Sequence, residues 1–293
     1  MKPKHPIYIP SYQRYEFSRR LTIRELEKRD IPYHVIVEPE EESEYRSVVD
    51  ESLATVLVLP QEFKEKYTTY LDTDAPLGSG PARNYGMHHA RENGHDWYWC
   101  VDDNINNFYR FHENEIIQVM DGSPFAMVED FVAQYDNIAM AGMNYESFMP
   151  RRNKRPPLTF NTRIYSCNLI QTNIGYEWQG RYNEDTDLSL RMLKDGWSTV
   201  LFNAFLANKQ ATQRSGGGNT DTVYADKSEY DEAGTYEKTK ALKQQHPTVT
   251  EIVRKWDRWH HKVNYSHFSD NDPQRKANPP KPREYNFRLK KLQ

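Results

Sequence analysis

Two acidic signatures, far apart in the chain, hold the residue types best suited to chemistry. The first closes an apolar run, Trp97-Tyr98-Trp99-Cys100-Val101-Asp102-Asp103-Asn104, and the second is Asn183-Glu184-Asp185-Thr186-Asp187-Leu188-Ser189-Leu190-Arg191. A strand that ends in adjacent carboxylates offers hard oxygen ligands to Mg2+ or Mn2+. These ions take one or two protein carboxylates and complete their shell with phosphate and water. Such an ion neutralises the charge that develops on a leaving nucleoside diphosphate. A carboxylate that opens a helix can take the proton of an attacking hydroxyl. Asp185 is the residue expected to do so, with Glu184 and Asp187 as orienting or capping groups. Together the two signatures imply transfer of a sugar from a nucleotide donor. Each also has a plainer reading. An Asp/Asn turn can simply close a strand, and acids are favoured in the first turn of a helix, with Asn183 or Thr186 as its cap.

Other residues could support such a site. Arg83 lies just inside a predicted helix that follows Gly78-Ser79-Gly80-Pro81-Ala82, where it could hold phosphate or pair with an acidic metal ligand. Gly216-Gly217-Gly218-Asn219-Thr220 lacks the Lys-Ser or Lys-Thr ending of a P-loop, so it reads as a lid or a plain loop. Arg151, Arg152, Lys154 and Arg155 crowd a predicted loop and could hold phosphates. Trp256, Trp259, His260 and His261 cluster at an expected helix end; paired His can ligate metal, although a packed corner is the commoner use.

The elements that must position these residues are legible in outline. Strands are expected at Ile7–Ile9, His34–Val37, Thr55–Leu59 and Trp97–Val101. Helices are expected over Phe17–Arg29 and from Arg83 to Glu92, the latter closed by Asn93-Gly94. This alternation predicts an α/β fold with a mixed, mostly parallel central sheet and helices on both faces. In such sheets ligands collect at the carboxyl ends of the strands, where Pro10-Ser11, Glu38 and Asp102-Asp103 all fall. Further on, helices are expected at Phe125–Gln134 and Asp185–Lys194, and strands at Ile138–Ala141, Tyr165–Gln171 and Thr199–Phe202. Asn144–Leu158 is expected as a loop. The chain is expected to be helical after Asp226 and again over Val249–Arg258, with extended structure at the C-terminus.

The length of 293 residues suits one large domain, or a domain with a tail. A domain over 1–260 and a basic extension over 261–293 are expected; from Lys262 to Gln293 there are eight Lys or Arg against three Asp or Glu. The whole chain carries a net charge of -3, so any polyanion would be bound locally. Two cysteines in apolar runs exclude a disulfide scaffold and fit a reducing compartment. The N-terminus lacks a signal-peptide core and no run approaches the roughly 20 apolar residues of a membrane span, so a soluble, cytoplasmic protein is expected.

Gly80-Pro81-Ala82-Arg83-Asn84-Tyr85-Gly86 and the two acidic signatures resemble GT-A glycosyltransferases of the family-2 kind. Tyr8-Ile9-Pro10-Ser11, Val37-Glu38-Pro39, Val101-Asp102-Asp103-Asn104-Ile105, Phe202-Asn203-Ala204-Phe205, Gly217-Gly218-Asn219-Thr220-Asp221 and Trp259-His260-His261-Lys262-Val263 bring the likeness closer to the TET-associated glycosyltransferases, found with phage DNA-modification systems. The likeness spans about residues 5–268. It implies a GT-A, Rossmann-like fold, a UDP-sugar donor, a Mn2+ or Mg2+ cofactor, and as acceptor the hydroxyl of 5-hydroxymethylcytosine, or a related hydroxymethylpyrimidine, in DNA. It implies nucleoside contacts at Pro10, Ser11 and Glu38, further donor contacts at Arg14 and Arg83, and sugar and metal contacts at Asp102 and Asp103. Asp185, supported by Glu184, would be the base of an inverting displacement. Arg151, Arg152, Lys154, Arg155, Trp178, His260 and His261 would face the DNA. If phage-encoded, the protein would work in the host cytoplasm. The metal motif is Asp-Asp-Asn rather than Asp-X-Asp, which leaves open which carboxylate meets the metal. Two rival readings are a glycosyltransferase for a free nucleotide, polysaccharide or protein, and a non-catalytic nucleic-acid-binding module on the same scaffold.

Overall fold

A computed structural model describes residues 1–70, 77–151, 155–210 and 236–285. Its centre is a sheet ordered β3-β2-β1-β4-β9-β7-β10-β5-β6. The first four of these, β1 (Ile7–Pro10), β2 (Tyr33–Val37), β3 (Ala54–Val58) and β4 (Trp97–Val101), run parallel. The remainder is mixed: β9 (Cys167–Gln171) runs antiparallel to both β4 and β7 (Ile138–Tyr145), while β10 (Ser198–Lys209) is parallel to β7. Along the other side of β10 lie β8 (Leu158–Phe160) and then β5 (Ile105–His112), both antiparallel to it, and β6 (Glu115–Gln118) forms a hairpin with β5. The expected α/β sheet is present, with its parallel character concentrated in the N-terminal half.

Side chains alternate across the sheet because the strand period is two. Ile7, Ile9, Val35, Val37, Trp99 and Val101 enter one core with α1 (Leu21–Glu27) and α5 (Ser123–Val132). Tyr8, Ile36, Tyr98 and Cys100 enter a second core on the opposite face with α4 (Gly80–Glu92) and α6 (Glu184–Lys194). Near-continuous apolar strands are what a sheet covered on both faces requires. The short helices α2 (Glu42–Arg46) and α3 (Gln61–Glu65) complete the N-terminal half. Helix α4 ends at Asn93, with Gly94 in the left-handed region at φ 76°, as its sequence predicts.

Three differences from the sequence expectation have physical causes. Helix α1 starts only at Leu21, because Arg20 has non-helical angles (φ -77°, ψ 55°). Residues 249–258 do not form a helix. Instead β11 (Thr250–Lys255) and β12 (Arg258–Val263) form a hairpin around Trp256 and Asp257, whose φ values of 51° and 57° make the left-handed two-residue turn that suits strand twist. The boundary expected at residue 260 falls inside β12. Beyond it the chain is docked on the body rather than set apart: Asn271 Nδ2 donates to the carbonyls of Leu193 and Trp197, and Arg283 pairs with Asp130 and Glu129. Helix α7 (Tyr236–Gln245) packs on α6 through Leu242, Leu190 and Leu193. Among the described residues no helix is long and apolar enough to cross a membrane.

Candidate active site

The carboxyl ends of β1, β4, β7 and β10 share one edge of the sheet, and the N-termini of α4 and α6 meet it. This edge gathers most of the acidic and basic residues singled out in the sequence. The Asp102-Asp103 turn is held from below by the backbone. Asp102 N donates to Ser166 O at 2.7 Å, and the fully buried Thr22 donates its hydroxyl to Asp102 O at 2.5 Å while accepting from Ile105 N at 2.8 Å.

Both Asp102 oxygens are taken. Arg83 Nη2 donates to Oδ1 at 2.7 Å; Lys209 Nζ at 2.7 Å and Ser166 Oγ at 2.5 Å donate to Oδ2. Burial opposes ionisation of Asp102, but Lys209 and Arg83 more than offset it and hold the carboxyl well below the usual carboxylate range. Asp103 meets Arg14 Nη1 at 2.5 Å and the Ser11 hydroxyl at 3.1 Å. Its pKa goes up, because burial and the Asp102 charge outweigh Arg14 and Ser11. Ser11 is fixed in turn by the Tyr45 hydroxyl at 2.6 Å, which also accepts from Arg14 N.

Arg83 is the hub of the other half. Its Nε donates to Ser79 Oγ at 3.0 Å, its guanidinium lies 4.6 Å from the Trp178 ring centroid, and Glu184 Oε1 is 3.7 Å from Nη2. Ser79 also donates to Glu184 at 3.2 Å. Burial pushes the Glu184 pKa up against the pull of Arg83. The glycine-rich entry to α4 has a steric reason: a Cβ on Gly80 would sit 1.8 Å from the Tyr67 hydroxyl, which donates to Gly180 O.

Asp185 differs from its neighbours. Its Oδ1 accepts from Thr186 N at 2.7 Å and more weakly from Thr186 Oγ1, and among the described residues it makes no ion pair. Asp187 points the other way, pairing with Arg191 and with the buried His246, and so ties α6 to the turn after α7. The expected side-chain cap at Asn183 is not formed. Asn183 is left-handed (φ 54°) and its amide donates to Lys238 O instead.

Other expected residues fall as follows. Pro10 is buried in β1, and Glu38 lies at the end of β2 paired with Lys64. A cavity of about 390 Å³ is lined by Tyr12, Gln13 and Tyr15 together with the acidic Glu16, Glu40, Glu41 and Glu44. Trp178 cannot face DNA: it is fully buried beneath Arg83 and donates to Tyr98 OH at 2.9 Å. His260 and His261 lie in β12, not at a helix end, and burial pushes the His261 pKa down to about 3, so it is a neutral ring and no phosphate-binding cation. Arg151 and Arg155 are exposed. Arg152, Lys154 and the Gly216–Thr220 run lie outside the described residues.

The sequence reading missed Thr22, Tyr45, Ser79, Tyr145, Ser166 and Lys209. For Lys209 a signal existed: the apolar residues Phe205, Leu206 and Ala207 continue β10 well past Phe202. Register shifts at Phe202/Leu206 and Asn208/Lys209 bend that strand, and bulges of this kind re-aim a side chain.

Among the described residues no three His, Cys, Asp or Glu converge, but a phosphate-bridging Mg2+ or Mn2+ does not need three. Asp102 is saturated by cations. Asp103 fits: its Oδ2 meets only a neutral hydroxyl, and its raised pKa marks negative charge that further positive charge would relieve. Around the edge, Asp102, Asp103 and Glu184 pair with Arg14, Arg83 and Lys209, and the Asp185 charge acts on Arg163.

A comparison with curated proteins finds no match. A family model described as TET-Associated Glycosyltransferase matches residues 5–218, a span that contains the whole cluster from Ser11 to Lys209. With more than half of the chain matched, the protein belongs to the TET-associated glycosyltransferase family.

Proposed function

We propose that this glycosyltransferase moves a sugar from a UDP-sugar to the hydroxymethyl group of a 5-hydroxymethylpyrimidine, most simply 5-hydroxymethylcytosine, in DNA. The observation that carries the reading is the Asp185 carboxylate, which opens α6 and makes no ion pair among the described residues, beside Asp102, Asp103 and Glu184, each of which is paired with a cation. A carboxylate engaged by cations is a poor base, and one left open can take a proton.

The donor nucleoside would occupy the cavity lined by Tyr12, Tyr15 and Glu41, in the same N-terminal region as Pro10, Ser11 and Glu38. The diphosphate would lie at the N-termini of α4 and α6, where backbone dipoles favour anions. Arg83 and Lys209 keep Asp102 ionised and fix its side chain, which would border the donor sugar. Asp103 would hold Mn2+ or Mg2+, which when bound supplies positive charge beside the leaving diphosphate. The acceptor oxygen attacks the anomeric carbon as its proton passes to Asp185, and the bond from that carbon to the diphosphate oxygen breaks. One displacement with a single open carboxylate inverts the anomeric centre. A base stacked in duplex cannot reach such a site, so it must be flipped out or single-stranded.

Mass spectrometry of DNA carrying cytosine or 5-hydroxymethylcytosine, incubated with a panel of UDP-sugars and Mn2+, tests this. A mass gain confined to hydroxymethylated DNA supports the acceptor and identifies the donor. Transfer to a free nucleotide, polysaccharide or protein, with none to DNA, overturns the acceptor assignment.

A further inference from the structure

Beside the acidic cluster, the end of β7 and the single turn after it gather three aromatic rings that the transfer chemistry leaves unused. Tyr145 and Tyr165 stack with centroids 5.4 Å apart and planes inclined by 11°. Phe148 stands edge-on to both, at 5.2 Å from Tyr145 and 6.4 Å from Tyr165. Its side chain is 46% exposed, whereas most large aromatics here are buried.

The rings are fixed to the site rather than merely near it. Tyr145 OH lies 2.5 Å from Ser166 Oγ, the hydroxyl that donates to Asp102, and Lys209 Nζ is 5.8 Å from the Tyr145 ring centroid. The Asp185 charge is among those that raise the pKa of both tyrosines. Shortly after Phe148 the chain carries the exposed Arg151 and Arg155.

We propose that Phe148, buttressed by Tyr145 and Tyr165, is the stacking platform for the acceptor nucleobase, with Arg151 and Arg155 taking the adjoining phosphates. The inference rests on the DNA-acceptor reading above and names its binding subsite. A saccharide ring can also lie on an aromatic face, but a neutral sugar gains nothing from the exposed guanidiniums that follow Phe148 in the chain. An aromatic platform bordered by cations is the arrangement that holds single-stranded or extruded nucleotides. Stacking on Phe148 replaces part of what the base loses on leaving the duplex.

The test compares the wild type with Phe148→Ala, Phe148→Trp and the double variant Arg151→Ala/Arg155→Ala. Acceptor KM is measured on a hydroxymethylated oligonucleotide, and UDP binding by calorimetry. Loss of one base stack raises the acceptor KM of Phe148→Ala about tenfold or more. Phe148→Trp restores it, and UDP affinity changes by less than about twofold in both. The double variant flattens the salt dependence of acceptor KM. A wild-type acceptor KM in Phe148→Ala, or an equal loss of UDP affinity, overturns the platform while leaving the DNA reading standing. A wild type that glycosylates another acceptor and no DNA overturns both.

Discussion

Replacing Asp185 with Asn isolates the proposed proton transfer. The carboxylate is engaged only by Thr186, through its N–H at 2.7 Å and its hydroxyl at 3.3 Å. An Asn oxygen accepts both bonds, so the variant keeps its local geometry. The loss of one charge from the first turn of α6 costs about 0.3–1 kcal/mol, which leaves the fold intact. The chemistry suffers far more. A positioned base contributes on the order of 10²–10⁴ in rate, so kcat falls by at least about 100-fold, equivalent to about 2.7 kcal/mol in the barrier. UDP affinity and the thermal midpoint stay near wild type. Glu184→Gln behaves differently, because Glu184 holds Ser79 and faces Arg83. Its main effects fall on donor KM and stability. The assay is steady-state transfer at saturating donor, with calorimetric UDP binding and a thermal melt on the same samples. A folded Asp185→Asn enzyme within tenfold of wild-type kcat refutes the assignment of the base.

Further predictions concern the scaffold. Lys209 and Asp102 form a mostly buried pair at 2.7 Å. A double-mutant cycle with Lys209→Met and Asp102→Asn, read by urea unfolding at pH 7, gives a coupling of about 2 kcal/mol; a value below about 0.5 kcal/mol means that the pair is not coupled. A Cβ on Gly142 would lie 2.2 Å from Cys167 O and 2.4 Å from Ile164 Cγ2, so Gly142→Ala destabilises by about 2 kcal/mol or more; an unchanged melting temperature contradicts the close β7–β9 approach. Burial pushes the Glu41 pKa up to about 7, with Glu38, Glu40 and Glu44 adding to the shift. A carboxyl raised in this way binds its proton more tightly folded than unfolded, so its penalty is absent below the unfolded pKa of 4.5, accumulates between 4.5 and about 7, and is complete above that. Glu41→Gln therefore gains about 1 kcal/mol at pH 8 and almost nothing below pH 4.5. Equal gains at both pH values in denaturant titrations count against the shift.

The parallel half of the fold was legible because each strand there is short, apolar on both sides and punctuated by turn residues. The run from Trp97 to Val101 can only be a covered strand, and its acidic end has to fall on the ligand edge of a parallel sheet. The hairpin at Trp256 was not legible. Nothing in the composition of 249–258 separates a helix from two paired strands, and the pairing that decides it is made by residues on both sides of a left-handed turn. The roles of the acids divide in the same way. Residue type and order place Asp102, Asp103, Glu184 and Asp185 at helix and strand ends, which is a local property of the chain. Which of them is left open for chemistry is not local. Asp102 is neutralised by Arg83 from α4 and by Lys209 from the far end of β10, and Asp103 by Arg14 from the loop after β1, while Asp187 is held by a hydrogen bond with His246 from beyond α7. The sequence by itself determined the sheet edge and the supply of carboxylates. Only the tertiary structure decided their division of labour, because the cations that claim all but Asp185 arrive from segments whose distance along the chain carries no information about their distance in space.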